Sequence, residues 1–348
     1  MKKILYLIIS ISLMLLTSCD VHQWPQTPEL VKCHLRLNYQ TQMTEWEHLY
    51  DGSNVIEHGI GNTYDNRREY GKIRYIIRTY PVSEKQRTLS DYTQQFEFTR
   101  DITKGYDHQV TLDILPGNYN IMVWSDLVQK EGDDHFHDAG NFAEIRLQGE
   151  HRGNNDYRDA FRGTGSITLE ASIKEQKTDT LEITMQRPLA KFEFITNDLK
   201  EFLDKEIEYL KQEATTRGEN APTRVDTDKY KVVFHYSGYM PNVYNMNTDK
   251  PVDSATGVMF ESKLGILNDN EASLGFDYVF VNGKEAGVSV QIGLYDGDNR
   301  QIALSDPIDV SLRRSHHTIL RGSFLMQQAM GGIVINPEFD GNHNIVIE

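Results

Sequence analysis

Residues 110–124 read Val110-Thr111-Leu112-Asp113-Ile114-Leu115-Pro116-Gly117-Asn118-Tyr119-Asn120-Ile121-Met122-Val123-Trp124, and they set the fold class. Val110, Leu112 and Ile114 alternate with polar residues, the period of a strand with one buried face. Pro116 and Gly117 suit positions i+1 and i+2 of a type II turn, after which a β pattern resumes. The run predicts a hairpin. Upstream, Ile73, Tyr75, Ile77 and Thr79 alternate with Arg74, Ile76 and Arg78, and Phe96 and Phe98 share a face of a strand over 95–100. Downstream, 143–147, 166–170 and 180–185 give further strands, with no useful amphipathic helix between them. Short strands at this spacing, divided by turn residues, predict an antiparallel sandwich.

The first strand falls at 31–39, where Val31, Cys33, Leu35, Leu37 and Tyr39 alternate with polar residues. Cys33 therefore faces the core as a small hydrophobe rather than acting as nucleophile or ligand. From there to Gly71 the chain is polar. Residues 44–49 suggest one helical turn, docked by Trp46 and Tyr50. A boundary falls near Arg187-Pro188, and the following strand, 189–195, runs into the one convincing helix, 198–214. Asn197 or Asp198 can cap that helix, and Leu199, Phe202, Leu203, Ile207 and Leu210 form its apolar stripe. β pattern returns at 230–236, 258–262, 274–281, 288–294, 308–312, 318–326, 333–335 and 345–347, with a hairpin turn at 296–299. The expected class is all-β, two tandem antiparallel sandwiches with one helix in the second.

The N-terminus opens with Lys2 and Lys3, an apolar run from Ile4 to Leu16, and Leu16-Thr17-Ser18-Cys19. The run is shorter than the roughly 20 residues of a membrane helix and suits a signal-peptide core. It looks like a bacterial lipobox, in which cleavage between Ser18 and Cys19 leaves Cys19 as the lipidated first residue. The expected organisation is signal peptide 1–18, lipidated stalk 19–30 stiffened by Pro25 and Pro28, N-terminal domain 31–186 and C-terminal domain 187–348. A formal charge of −15 argues against nucleic acid and against adsorption to anionic membranes. The lipid is thus the expected anchor, and no other cofactor is implied.

Several strings resemble the fimbrillin-type lipoproteins of anaerobic Gram-negative gut and oral bacteria. Leu115-Pro116-Gly117-Asn118-Tyr119 is similar to the Pro-Gly-x-Tyr hairpin of transthyretin-like modules. Gln186-Arg187-Pro188-Leu189-Ala190-Lys191-Phe192 resembles the opening of the second domain, and Leu312-Arg313-Arg314-Ser315-His316-His317-Thr318 resembles a late strand that usually carries Asn at Ser315. The resemblance implies two transthyretin-like sandwiches and assembly with fimbrial subunits by strand addition, in which backbone bonds give affinity and side-chain pockets specificity. It also implies protease processing after an N-terminal Arg in shaft subunits and a retained lipid in anchor subunits. No Arg precedes Val31, and the first, Arg36, lies inside the first strand. An anchor or accessory subunit is therefore favoured, held at the outer membrane by Cys19, with the cell surface favoured over the periplasmic face. A surface glycan-binding lipoprotein is the competing expectation.

Enzyme signatures are absent: the sequence has no Gly-x-x-x-x-Gly-Lys loop, Gly-x-Ser-x-Gly elbow or His-Glu-x-x-His motif. Arg162-Gly163-Thr164-Gly165-Ser166 is expected to be a turn. Asp133, Asp134, His135, His137 and Asp138 form the metal candidate, against which stands the ordinary acidic loop. His316 and His317, adjacent on a strand, point to opposite faces. Trp46, Tyr50, Tyr64 and Tyr70, with Trp124, Tyr236, Tyr239 and Tyr244, are candidates for stacking on sugars, set against ordinary packing.

Overall fold

The computed structural model describes residues 29–52, 54–65, 71–82, 92–128, 135–170, 179–282 and 285–327. In chain order its first strands are β1 (Val31–Tyr39), β2 (Gln42–Tyr50), β3 (Val55–Asp65), β4 (Lys72–Pro81), β5 (Gln94–Asp101), β6 (His108–Ile114) and β7 (Gly117–Val128). There follow β8 (His137–Asp138), β9 (Ile145–Leu147), β10 (Ala160–Leu169), β11 (Asp179–Met185), β12 (Leu189–Thr196) and the helix α1 (Leu199–Arg217). After α1 come β13 (Lys231–Tyr236), β14 (Met240–Asn245), β15 (Lys250–Ala255), β16 (Met259–Lys263), β17 (Gly265–Ile266) and β18 (Ala272–Phe280). The last are β19 (Glu285–Tyr295), β20 (Gln301–Leu304), β21 (Ile308–Arg313) and β22 (His316–Gly322).

The class is all-β with one α-helix among the described residues. In lobe 1, the sheet β11-β1-β6 faces the sheet β10-β7-β4-β5. Cys33, Leu35 and Leu37 from one sheet meet Ile73, Tyr75 and Ile77 from the other in its core, so Cys33 is buried as its alternation requires. In lobe 2, the sheet β17-β18-β12-β22-β2-β3 faces β16-β13-β19-β20, with β21 also on β19. Phe192, Phe194, Phe234 and Val290 fill the space between. A third set, β15-β14-β9-β8, draws strands from both halves of the sequence.

Several sequence expectations change. Val110–Trp124 is not a hairpin: β6 pairs β1, whereas β7 pairs β4 and β10. Leu115-Pro116 carries the chain from one face of the sandwich to the other. Pro116 offers no N–H to a ladder, so it suits a corner between sheets as well as a turn within one. Residues 44–49 form no helical turn either. They lie in β2, which makes a hairpin with β3 and lies parallel to β22 in lobe 2, from Thr44↔His316 to Tyr50↔Gly322. Register shifts on both sides of Trp46 break its alternation, which hid the strand. Arg162–Ser166 lies within β10, where a Cβ at Gly163 would meet Ile183 Cγ2 at 2.5 Å. Glycine there permits close approach of β11.

The ladders are also mixed rather than uniformly antiparallel, since β1/β11, β12/β22 and β2/β22 are parallel. The 296–299 turn joins antiparallel β19 and β20 as read, with Asp296 Oδ1 accepting from the Asp298 and Arg300 amides at 3.0 and 2.8 Å. Helix α1 begins at Leu199, with Asp198 in the cap position, and runs on to Arg217. Its cap, however, makes no side-chain bond within the helix. The Asp198 carboxylate instead accepts from the amides of Leu325 and Met326, at 3.1 and 2.9 Å. Expected strands at 333–335 and 345–347 lie outside the described residues.

Candidate functional site

Two links carry the chain between lobes, Gln40-Thr41 after β1 and Gln186-Arg187-Pro188 after β11. Arg187 ties them together. Its guanidinium donates to Asp159 at 2.9 and 3.0 Å, to the Gln40 carbonyl at 3.0 Å and to the Thr41 carbonyl at 2.6 Å. Both Arg187 and Asp159 are fully buried. A buried guanidinium needs its donors filled, and these acceptors fill them.

Further buried charges line the same seam. Arg74 binds Asp126 in bidentate fashion, at 2.8 and 2.5 Å, and reaches the His137 carbonyl at 2.9 Å. Asp277 forms an ion pair with Arg158, its oxygen 2.9 Å from Nε, and hydrogen bonds with His151 Nε2 and the Tyr236 hydroxyl, both at 2.7 Å. Burial by itself would raise the Asp277 carboxyl, but Arg158, then His151 and Tyr236, leave it below its ordinary value. Around these pairs Met43, Ile76, Met122, Trp124, Phe142 and Phe280 make an apolar cluster. The sequence marked Arg187 only as part of a motif. Nothing in its local pattern showed that Asp159, Arg158 or Asp277 would be buried.

Beside the crossing links, a groove opens on the surface. Two adjoining depressions of about 390 and 470 Å³ share Glu285, Arg313 and His316. Trp46 lies in the first, and Gln40 and Gln186 in the second. The Arg313 guanidinium sits 4.5 Å from the Trp46 ring centre and donates to Glu285 at 2.6 Å. His316 meets the same indole edge-on at 5.9 Å. The turn between β21 and β22 is clamped: Ser315 N donates to the Leu189 carbonyl at 3.1 Å and its own carbonyl accepts from Thr44 N at 3.2 Å. Ser315 has φ 57°, a left-handed conformation that Asn tolerates better than Ser, in keeping with the Asn of the resembling strand.

The structure separates most of the other candidates. His137 is fully buried beneath Trp124, 3.8 Å from Asp126, while Asp138, its neighbour on β8, is exposed. Burial pushes the His137 imidazole down from 6.5 to about 4, with Asp126 opposing and Arg158 and Arg74 reinforcing. A neutral buried ring and an exposed carboxylate on alternate faces do not converge on an ion. His135 forms a bridge with Val128, and Asp133 and Asp134 lie outside the described residues. Among the described residues no group of three or more His, Cys, Asp or Glu is placed to hold a metal.

Of the aromatics, Tyr50 stacks on Phe324 at 5.4 Å in the lobe 2 core, and Trp124, Tyr236 and Tyr244 are buried. Tyr64 is half-buried against His317 and accepts from Lys191 Nζ at 3.2 Å. Tyr239 is exposed, Tyr70 lies outside the described residues, and Trp46 alone of the set lines the groove. His316 and His317 do part to opposite faces, His317 meeting Glu193 at 3.0 Å in the interior. Cys19 and Ser18 lie outside the described residues, in which no helix is long and apolar enough to cross a membrane.

The profile of a family of unknown function, DUF6562, matches residues 27–348. The chain belongs to this family. No curated protein matches it. Similar solved structures include the fimbrial anchor protein Mfa2 from Porphyromonas gingivalis, at 10% identity over 79% of this chain and 82% of that one, with a TM-score of 0.36. A fimbrial assembly protein from Parabacteroides distasonis is similar at 8% identity over 88% and 94%, TM-score 0.36. The tip fimbrial protein Mfa3 from Porphyromonas gingivalis is similar at 9% identity over 84% and 94%, TM-score 0.36. Similarity at this level assigns neither partner nor residue.

Proposed function

We propose that the chain is a non-enzymatic cell-envelope lipoprotein, tethered to the outer membrane through Cys19 and serving as an anchor or accessory subunit of a fimbria-like surface assembly. The observation that carries this reading is the place of β1. It is the middle strand of its sheet, paired from Cys33 to Tyr39 with β11 and from Val31 to Leu37 with β6. Cutting after Arg36 would remove the centre of that sheet. The side chain of Arg36 lies on the surface, 2.6 Å from Glu182, but its backbone is held on both sides. Processing of the kind implied for shaft subunits therefore suits this chain poorly, and a retained N-terminus suits it well.

Two transthyretin-like units in tandem belong to the same reading, each lobe being a pair of facing sheets. Subunits would join by strand addition. On one side of lobe 1, β5 and β6 are the edges of opposite sheets, and among the described residues each has a ladder on one side only. Gln94 Nε2 reaches across to the Asp113 carbonyl at 3.4 Å, and Phe96, Phe98 and Val110 sit half-buried against the core there. Such edges leave backbone donors and acceptors for an incoming strand.

The test is the mature N-terminus together with fractionation. Mass spectrometry should find an acylated Cys19, and Cys19→Ala should release folded protein that still captures fimbrial subunits. A mature chain starting at Leu37, or membrane retention unchanged by Cys19→Ala, would overturn the tether. Released, folded protein that captures no fimbrial subunit would overturn the assembly role.

A further inference from the structure

We infer that the groove at Trp46 binds a saccharide chain, with the indole as an apolar wall and the Arg313–Glu285 pair as its reader of hydroxyl groups. The inference does not rest on the tether or on strand addition. It rests on what lines the groove.

The walls are mostly planar polar groups: the Arg313 guanidinium, the Glu285 carboxylate, the His316 imidazole and, further along, the amides of Gln40 and Gln186. Groups of this shape bond two neighbouring hydroxyls at once, as guanidinium and carboxylate do with any fork of matching spacing. Thr44 and Ser311 add hydroxyls that both donate and accept. Aliphatic wall is scarce, confined to Ala286 and Leu312. An apolar peptide or an acyl chain would thus find little to bury against. Nucleic acid is disfavoured by the −15 charge of the chain. What remains is a ligand rich in hydroxyls with apolar ring faces.

The groove is also prepared for such a ligand. The side chains around Trp46 stand on β2, β19, β21 and β22 rather than on a loose loop, so little order is lost there on binding. Arg313 and Glu285 pair in an exposed setting, with side-chain exposures of 39% and 68%. An ion pair of that kind is weak and can exchange partners readily. Two depressions that adjoin at Glu285, Arg313 and His316 suit a chain of sugar units better than a single one.

The chain has three tryptophans, of which Trp124 is fully buried and Trp24 precedes the described residues. Emission changes at the groove can therefore be assigned by comparing Trp46→Phe with the unmodified residue. The experiment uses the secreted Cys19→Ala chain, with yeast mannan, pectic galactan and mucin O-glycans as probes, in affinity electrophoresis and fluorescence titration. At least one probe should retard the protein and shift its emission. Trp46→Phe should abolish the shift and weaken binding at least tenfold, and Glu285→Gln should weaken it severalfold, both with unchanged circular dichroism and melting temperature. Retardation by none of the three probes would overturn the inference. Binding that is indifferent to both substitutions in folded protein would overturn it equally. Membrane release and subunit capture should be untouched by Trp46→Phe, which keeps this result separate from the anchor reading.

Discussion

Strand β4 has two buried faces of opposite character. On one, Ile73, Tyr75 and Ile77 enter the lobe 1 core, an apolar region shared with Leu35, Leu37 and Ile121. On the other, Arg74 meets Asp126, and Arg78 donates to Gln95 at 2.7 Å and to the Gly140 carbonyl at 2.8 Å. Arg78 also lies 4.2 Å from the Phe142 ring centre. The core face is non-directional and is satisfied by volume. The seam face is directional: each buried charge has specified partners, and one of them, Arg158 with Asp277 on β18, joins lobe 1 to lobe 2. Burying charges contributes little net stability by itself, but leaving one partner unmatched is costly.

That contrast can be broken most directly at Asp159. Asp159→Ala leaves Arg187 buried with carbonyls but without a carboxylate, and urea unfolding should show a loss of about 3–5 kcal/mol. A loss under 1 kcal/mol would mean that the seam is not a directional lock.

Acid should probe the seam next, through His137. Its pKa is about 4 in the folded chain against 6.5 when exposed. Above 6.5 both states are neutral and the group costs nothing. As pH falls from 6.5 towards 4 the unfolded chain takes up a proton that the folded chain refuses, so stability declines, by roughly 3 kcal/mol in all. His137→Leu, keeping apolar contact with Trp124 and Phe280, should flatten the stability profile over that window. A profile identical to the parent between pH 6.5 and 4 would show that another group titrates there.

The core should be the more forgiving side. Ile77→Val removes one methyl from a fully buried site and should cost only about 0.5–1.5 kcal/mol, read from the same urea curves. A cost equal to that of Asp159→Ala would erase the distinction between the two faces.

Legibility followed the same division. Alternation at 31–39 found β1 and the burial of Cys33, and alternation at 72–79 found β4. That pattern could not show that the second face of β4 would be covered as well, since Arg74 and Arg78 look like solvent residues until Asp126 on neighbouring β7 and the Gly140 carbonyl meet them. Strand β2 was hidden because the shifts around Trp46 disturb the period of two. The groove was legible only as one residue, Trp46, because most of its other walls come from β19, β21 and β22, more than 230 residues further along. The metal reading that joined His137 to Asp138 failed to converge for a related reason. Neighbouring letters on a strand face opposite ways, and burial made His137 part of the interior.

By itself the sequence determined the class, through the period of two, the turn residues and the single helical stripe of 199–210. It also carries the lipobox-like string at 16–19 and the family-like strings at 115–119, 186–192 and 312–318. These are local properties, set by side chains within a few residues of one another. Only the tertiary structure decided that β6 and β7 face each other across a core rather than pairing, that the β2–β3 hairpin completes the sheet of the other lobe, and that Arg187 closes the crossing. Pairing partners are chosen by long-range ladders and by the desolvation of charges far apart in the chain, and neither leaves a local period to read.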